Sequence, residues 1–333
     1  METATVSHVC QHPVTVAVVI PTKNRSYQLQ DAVRSVFRQT VLPSQIVVVD
    51  QSRDATGRRL VEEALAAAPQ EVRQTVTLDY VLDSTIPGLT WARNLGKERV
   101  SGADIMLFMD DDEDLEPNYI EEILVAYRRL PDAAGIAGVV VNYPLPPAAF
   151  RIWSIIFARG PFRDERQPIY WHAERLRQHK PIAVAKLGGG LMSLKTAVAR
   201  SAHFDTRLRG YALAEDVDFS CRIQPAHLYI APAARLRHNH RHSSRDGMHW
   251  LRGHAQAQYY LYEAHWRHDF KNRVRFAWLN CGYALAASLA SLKRVSLEPW
   301  RALFDGVSEA RRIGEAGDMP PTADNQSHNE LAS

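Results

Sequence analysis

Short, almost unbroken apolar runs alternate with longer amphipathic stretches along the first half of this chain. Val14 to Ile20, Gln45 to Asp50, Ile105 to Met109 and Gly135 to Val141 are mostly aliphatic and bounded by polar or breaking residues. That is the pattern of strands buried on both faces. Pro21 is expected to stop the first of them. Between these runs, Ser26 is expected to cap a helix carrying Leu29, Val33, Val36 and Phe37. Ala55 to Ala68 reads as a helix stopped by Pro69, and Thr90 to Val100 as a short one. Pro117 opens another, with Ile120, Ile123, Leu124 and Tyr127 on one side. Thr75 to Leu82 alternates, which predicts a strand nearer a sheet edge. Strand and helix thus alternate from Val14 to about Asn142, which predicts a layered α/β domain with parallel strands joined by right-handed crossovers.

The pattern changes after Pro144. Residues 145–163 fit no single element. Lys186 to Leu194, with Gly188-Gly189-Gly190, reads as a loop running into a strand, and Ala233 to Arg237 as a further strand. Ala214 to Ile223 reads as a helix carrying Glu215, Asp216 and Asp218, the last expected to be exposed. Trp250, Tyr259, Tyr260, Tyr262 and Trp266 make a later helix aromatic. Phe276 to Leu292 is apolar apart from Asn280 and small residues, with Arg273 and Arg275 before it and Lys293 and Arg294 after it. It falls short of the ~20 residues of a membrane span. A helix lying in the membrane interface and a helix packing on the main domain both fit. The expected division is a disordered lead over 1–13, a catalytic domain over 14–245, a helical region over 246–313 in possible contact with membrane, and a disordered tail over 314–333.

Composition narrows this little. Apolar residues make up 46% of the 333, enough for a packed core, and a net charge of +3 gives no case for nucleic acid. Cys10, Cys221 and Cys281 lack both disulfide and metal-ligand spacing, and residues 1–13 lack the basic-then-apolar order of a secretion signal. The expected location is the cytoplasm, with peripheral contact on the inner face of the cytoplasmic membrane as a further expectation.

The candidate chemistry sits at strand ends. Asp110-Asp111-Asp112 follows the apolar run Ile105 to Met109 directly. Adjacent carboxylates at the edge of a core repel one another unless a cation neutralises them. Mg²⁺ or Mn²⁺ bridging carboxylates and a diphosphate would do so; a solvated acidic turn is the plain alternative. Asp50 ends a second strand, and ligands of parallel sheets gather outside the carboxyl ends of strands, which favours a site. Asp50 can accept hydrogen bonds from a nucleobase or ribose, or serve as a turn acid.

Several segments, in order, resemble family 2 glycosyltransferases: Val19-Ile20-Pro21-Thr22-Lys23-Asn24-Arg25; Val47-Val48-Val49-Asp50 with Ser52 and Asp54; Gly88 to Asn94; Phe108-Met109-Asp110-Asp111-Asp112, like the family's DxD motif; and Glu215-Asp216-Val217-Asp218-Phe219, like its ED motif. The resemblance spans about Val14 to Arg245. It implies a glycosyltransferase A-type fold, a Rossmann-like mixed sheet flanked by helices, here with a helical C-terminal appendage. It implies an inverting enzyme of cell-surface polysaccharide synthesis with a nucleotide-sugar donor, UDP-linked by preference, and a glycan or lipid-linked acceptor. Pro21, Thr22, Asn24, Arg25, Asp50, Asp110 and Asp111 would then serve the donor, with Arg93 near the diphosphate or else a surface arginine. Asp112 would ligate the metal, joined by His238 in preference to His240 or His242, and Arg245 would reach a phosphate. Asp216 would be the general base and Glu215 its orienting neighbour, or the reverse. Gly189 and Gly190 resemble the acceptor-side loop. A nucleotidyltransferase is disfavoured because the loop after the first strand lacks glycine, and a silent sugar-binding protein because the acids are intact.

Overall fold

The structure is a computed structural model and describes residues 14–143, 147–158, 180–209, 212–239 and 247–315. The first half runs β1 (Val16–Thr22), α1 (Ser26–Phe37), β2 (Gln45–Asp50), α2 (Thr56–Ala66), α3 (Gln70–Thr75), β3 (Thr77–Leu82), α4 (Leu89–Arg99) and β4 (Ile105–Phe108). It continues with β5 (Glu113–Leu115), α5 (Tyr119–Arg129), β6 (Gly135–Val140), α6 (Ala148–Trp153), β7 (Ile182–Val184), β8 (Met192–Lys195), α7 (Thr196–Arg200), α8 (Glu215–Arg222) and β9 (Leu228–His238). Three long helices follow: α9 (Gly247–His265), α10 (Phe270–Arg294) and α11 (Glu298–Glu315).

The sheet is mixed. Its order is β3-β2-β1-β4-β8-β6-β9-β5, with β7 beside β9. β1 to β4 pair in parallel, and every residue of β1, β2 and β4 is buried, as their unbroken apolar runs require. β3 lies at the outer edge, where its alternating pattern predicts it. β8 enters antiparallel between β4 and β6. β9 runs parallel to β6, and β5 closes the far edge antiparallel to β9. Gly96 lets α4 lie directly on Val19 of β1.

Three local expectations are corrected. β1 continues through Pro21 to Thr22. Pro21 lies past the last β1–β4 partners, Val19 and Phe108, so its missing N–H interrupts no ladder bond. Ser26 is the first residue of α1 rather than its cap; Arg25 takes the cap position without a side-chain hydrogen bond. α5 starts at Tyr119, two residues beyond Pro117. The short elements α3 and β5 carry no pattern long enough to read from sequence.

The main core spans the sheet and its flanking helices. Two smaller clusters hold the C-terminal helices. Leu251, Ala255, Leu279, Tyr283, Ala287 and Leu303 join α9, α10 and α11 to one another. Leu208, Tyr260, Leu261, Ala310 and Ile313 tie α9 and α11 to the segment before α8. No helix among the described residues is long and apolar enough to cross a membrane.

Candidate active site

The carboxyl ends of β1, β2 and β4 deliver the site. At the end of β1, the Thr22 hydroxyl donates to Asp111 Oδ2 at 2.6 Å. Arg25 Nη1 donates to Asp111 Oδ1 at 3.0 Å and to Asp112 Oδ2 at 2.8 Å, so one half-exposed guanidinium holds two of the three acids. Asn24, with φ of 56°, donates its backbone N–H to Ser52 Oγ at 2.8 Å, which joins the loops after β1 and β2. At the end of β2, Asp50 is buried. It accepts from the Tyr80 hydroxyl at 2.6 Å and from the Ser52 N–H at 2.9 Å. Tyr80 therefore stands between Asp50 and the sheet edge, a partner that nothing in the sequence motif announces.

Asp110 and the α8 acids meet across Arg93. This arginine is 1% exposed. Nη2 donates to Asp110 Oδ1 at 3.0 Å and Nη1 donates to Glu215 Oε1 in a short contact, while the guanidinium carbon lies 5.6 Å from the Phe204 ring centre. The surface-arginine alternative is excluded. Arg93 belongs to a buried polar face of α4 made by Thr90, Arg93, Asn94 and Lys97, which share one side of a helix by their spacing. Thr90 donates to Leu208 O at 3.1 Å, Asn94 exchanges two 2.9 Å bonds with the Phe204 backbone, and Lys97 donates to Ala202 O. α4 thereby pins the segment that leads to α8.

α8 then divides its acids. Glu215 is buried against Arg93. Burial and the Asp216 charge push its carboxyl up to about 8, against the pull of Arg93. Asp216 is half-buried; its Oδ2 accepts from the Gly189 N–H at 3.1 Å and its Oδ1 from the Val217 N–H at 2.7 Å. Burial raises Asp216 too, opposed by these N–H groups and by Arg93. Asp218 is not the exposed helix acid of the sequence expectation. It is fully buried and bonded to Tyr260, His265 and Arg222.

His238 reaches the triplet because β5, directly after the triplet, pairs with the end of β9 and sets Glu113 opposite His238. His238 Nε2 lies 2.8 Å from Asp112 Oδ1. Asn142 brackets the His238 backbone with bonds of 2.9 and 3.0 Å. Burial works against ionising Asp112, but His238 and Arg25 hold its carboxyl down to about 2. Asp111 is the opposite case: burial lifts it to about 6 despite Thr22 and Arg25.

Glu113 completes this corner, though the sequence reading passed over it. It is 1% exposed; Oε2 accepts from the Asp110 N–H at 3.1 Å, and Oε1 is buried with no hydrogen-bond partner. Burial and the Asp110 charge raise its carboxyl well above the usual range. One ligand atom each from Asp110, Glu113 and His238 lie within 4.8 Å of one another. Two carboxylates and an imidazole form a donor set for a divalent cation, and an orphaned buried oxygen is the kind of vacancy such an ion would satisfy. The fourth consecutive acid was the signal available in the sequence.

Gly189 and Gly190 sit against the site, but against its side chains. A β-carbon on Gly189 would lie 2.5 Å from Arg93 Nη1, and one on Gly190 would lie 2.5 Å from Glu113 Oε1 and 2.6 Å from Asp110 Oδ2. Trp153 belongs to an aromatic cluster with Phe150, Trp250 and Tyr283. His240, His242 and Arg245 lie outside the described residues, as do 1–13 and 316–333.

Residues 17–181 match the model of glycosyl transferase family 2. A glucosyl-dolichyl phosphate glucuronosyltransferase of Haloferax volcanii is 26% identical over 134 residues, 38% of each chain. An uncharacterized glycosyltransferase of Haemophilus influenzae is 26% identical over 209 residues, 62% of this chain and 61% of its own. The chain thus spans between about a third and two thirds of these relatives. Among solved structures, S. aureus TarS 1-349 superposes with a TM-score of 0.53 at 17% identity, covering 91% of this chain and 83% of that one. GalNAc-T7 superposes with 0.50 at 19% identity, covering 69% and 44%. These two likenesses concern the fold, the glycosyltransferase A-type mixed sheet expected from sequence. With the matched segment reaching from β1 past the acidic triplet to residue 181, this chain carries a glycosyl transferase family 2 segment.

Proposed function

We propose that this chain moves a sugar from a nucleotide-sugar donor, UDP-linked by preference, to a hydroxyl of a glycan or lipid-linked acceptor, with inversion, at the cytoplasmic face of a membrane during cell-surface polysaccharide assembly. The observation that carries it is the buried Arg93 bridge between Asp110 and Glu215, which sets Asp216 beside the acidic strand end. The Haloferax relative is named for a lipid-linked acceptor and GalNAc-T7 was solved with UDP and Mn²⁺, which supports the choice of substrates.

Thr22, Asn24, Asp50 and Asp111 form the nucleoside side, with Pro21 shaping the end of β1. Arg25 is half-exposed and free to swing from the carboxylates toward a diphosphate. Asp112 and His238, with Asp110 and Glu113, would hold Mg²⁺ or Mn²⁺; the imidazole favours Mn²⁺. Bound there, such an ion takes up negative charge on the departing diphosphate. Asp216 accepts the proton of the acceptor hydroxyl as its oxygen bonds to the anomeric carbon, while the bond from that carbon to the diphosphate oxygen breaks on the opposite side. Glu215 is occupied by Arg93, which favours Asp216 as the base.

The test incubates the protein with a panel of nucleotide sugars and Mn²⁺ and measures nucleoside diphosphate release. Wild type should release one class of diphosphate, and Asp216→Asn should lower the rate by roughly 10²–10⁴-fold. Undiminished release by Asp216→Asn would remove the base assignment; failure to bind any nucleotide sugar would remove the reading as a whole.

A further inference from the structure

Apolar side chains that water reaches are concentrated in one part of this protein. Thirteen large apolar or aromatic residues are exposed among the described residues, and ten of them fall within 152–156 or 270–304. On α10, Leu285, Leu289 and Leu292 recur at spacings of four and three and form one stripe. The other side of the helix, with Leu279, Tyr283 and Ala287, is already packed on α9 and α11. The π-helical turn after α6, Ser154–Ala158, lies along the flank of the stripe. A β-carbon on Gly282 would meet the Phe157 side chain at 2.5 Å, and Trp278 Nε1 donates to Ile156 O at 2.9 Å. Ile152, Ile155 and Ile156, 44–59% exposed, therefore border the leucines. Val295 and Leu297, 92% and 78% exposed, prolong the surface beyond the helix.

Charge indicates what covers it. From Phe270 to Leu297 there is no Asp or Glu, while Lys271 and Arg273 stand at one end and Lys293 and Arg294 at the other, all four exposed. Asp269 and Glu298 mark the limits of this acid-free segment. An apolar stripe between clusters of exposed cations matches a bilayer with anionic headgroups, which offers an acyl boundary and phosphates together. α10 is too polar to cross a membrane. Lying flat, its 25 residues would extend for about 37 Å.

We infer that α10 and the turn after α6 dock this protein on a bilayer of anionic lipid, with the leucines and isoleucines in the acyl boundary and the end cations on phosphates. The inference deepens the lipid-linked-acceptor reading, on which its purpose rests. The link to the site is short. Asn142 brackets His238 at the end of β6, and α6 begins six positions later at Ala148. Docking through the turn after α6 would thus hold the triplet's histidine corner near the lipid surface.

Co-sedimentation of the full chain with vesicles tests this, using phosphatidylglycerol mixed with phosphatidylcholine against phosphatidylcholine alone. Wild type should bind the anionic vesicles and bind them less at high salt. Leu285→Glu with Leu289→Glu should weaken binding by about tenfold or more, and Lys293→Gln with Arg294→Gln by less. Circular dichroism and diphosphate release with a water-soluble acceptor should be unchanged, since these side chains face solvent. Absence of wild-type binding, or equal binding by the double glutamate variant, overturns the inference. So does a concentration-dependent dimer that the same variant abolishes in the absence of vesicle binding, because the stripe would then cover a second copy. Vesicle binding without any diphosphate release would instead remove the transfer reading and leave the surface standing.

Discussion

Arg93 concentrates the residue-scale argument. A fully buried guanidinium is tolerated because two carboxylates, Asp110 and Glu215, meet it from separate segments of the chain. Removing one partner of a buried pair costs about 3–5 kcal/mol, because it strands the other charge. Arg93→Ala should therefore lose stability on that order in urea denaturation. Arg93→Lys keeps a charge but lacks the planar fork that bridges two carboxylates; it should retain more stability while losing most diphosphate release. An Arg93→Lys variant with full activity would contradict the bridge. Gly190 is the second pressure point. A methyl group there displaces Glu113 Oε1 or Asp110 Oδ2, and overpacking of this kind costs roughly 1–3 kcal/mol. Gly190→Ala should raise the Mn²⁺ concentration needed for half-maximal activity, because the displaced groups are proposed metal ligands. An unchanged Mn²⁺ titration would detach Glu113 and Asp110 from the ion.

At the scale of elements, α8 is held from both ends. Its start meets Arg93, and its later turn meets α9 through Tyr260, whose hydroxyl lies 2.6 Å from Asp205 Oδ2 and 2.9 Å from Asp218 Oδ1. Arg222 and His265 close the network around these acids. Tyr260→Phe leaves a buried carboxylate short of a donor, at a cost of about 1–3 kcal/mol. The melting temperature should fall by several degrees in calorimetry, with a larger effect on acceptor KM than on donor KM, since only α8 is loosened. This network also shows what the sequence could and could not reveal. β1, β2, β4 and β6 were legible because burial on both faces writes itself as an apolar run. Arg93 and Asp218 were not, because much of their compensation comes from Glu215, more than a hundred positions from Arg93, and from Tyr260 and His265 on another helix. Likewise, the pairing that sets Glu113 beside His238 depends on a register between chain segments over a hundred residues apart, and no local pattern encodes that register. The motif identified the acids; only the fold shows that Asp112 rests between Arg25 and His238 while Asp110 and Glu113 crowd together.

For the molecule as a whole, the site has a definite dependence on pH. Burial lifts Asp111 to about 6 and Glu215 to about 8, and raises Glu113 and Asp216 as well. Each of these groups binds its proton more tightly folded than unfolded. Their contribution to stability is complete below about pH 4 and is lost as pH rises through the folded values. Asp112 and Asp205 have the opposite sign. Both are held at about 2, so their contribution is complete above about pH 4 and constant at neutral pH. Between pH 5 and 8 the raised groups therefore set the trend, and the chelator-treated protein should melt at progressively lower temperature as pH increases. A divalent cation at Asp110, Glu113 and His238 competes with protons for its ligands. Added Mn²⁺ should accordingly raise the melting temperature more at pH 8 than at pH 5. Diphosphate release should climb with rising pH as Asp216, whose proton burial holds more tightly than usual, gives it up. Thermal melts with Mn²⁺ or chelator across this range, paired with initial rates, give both readouts. A flat melting curve together with an Mn²⁺ shift independent of pH would mean that the buried acids are not jointly protonated, and that the strain assigned to the acidic strand end is relieved in some other way.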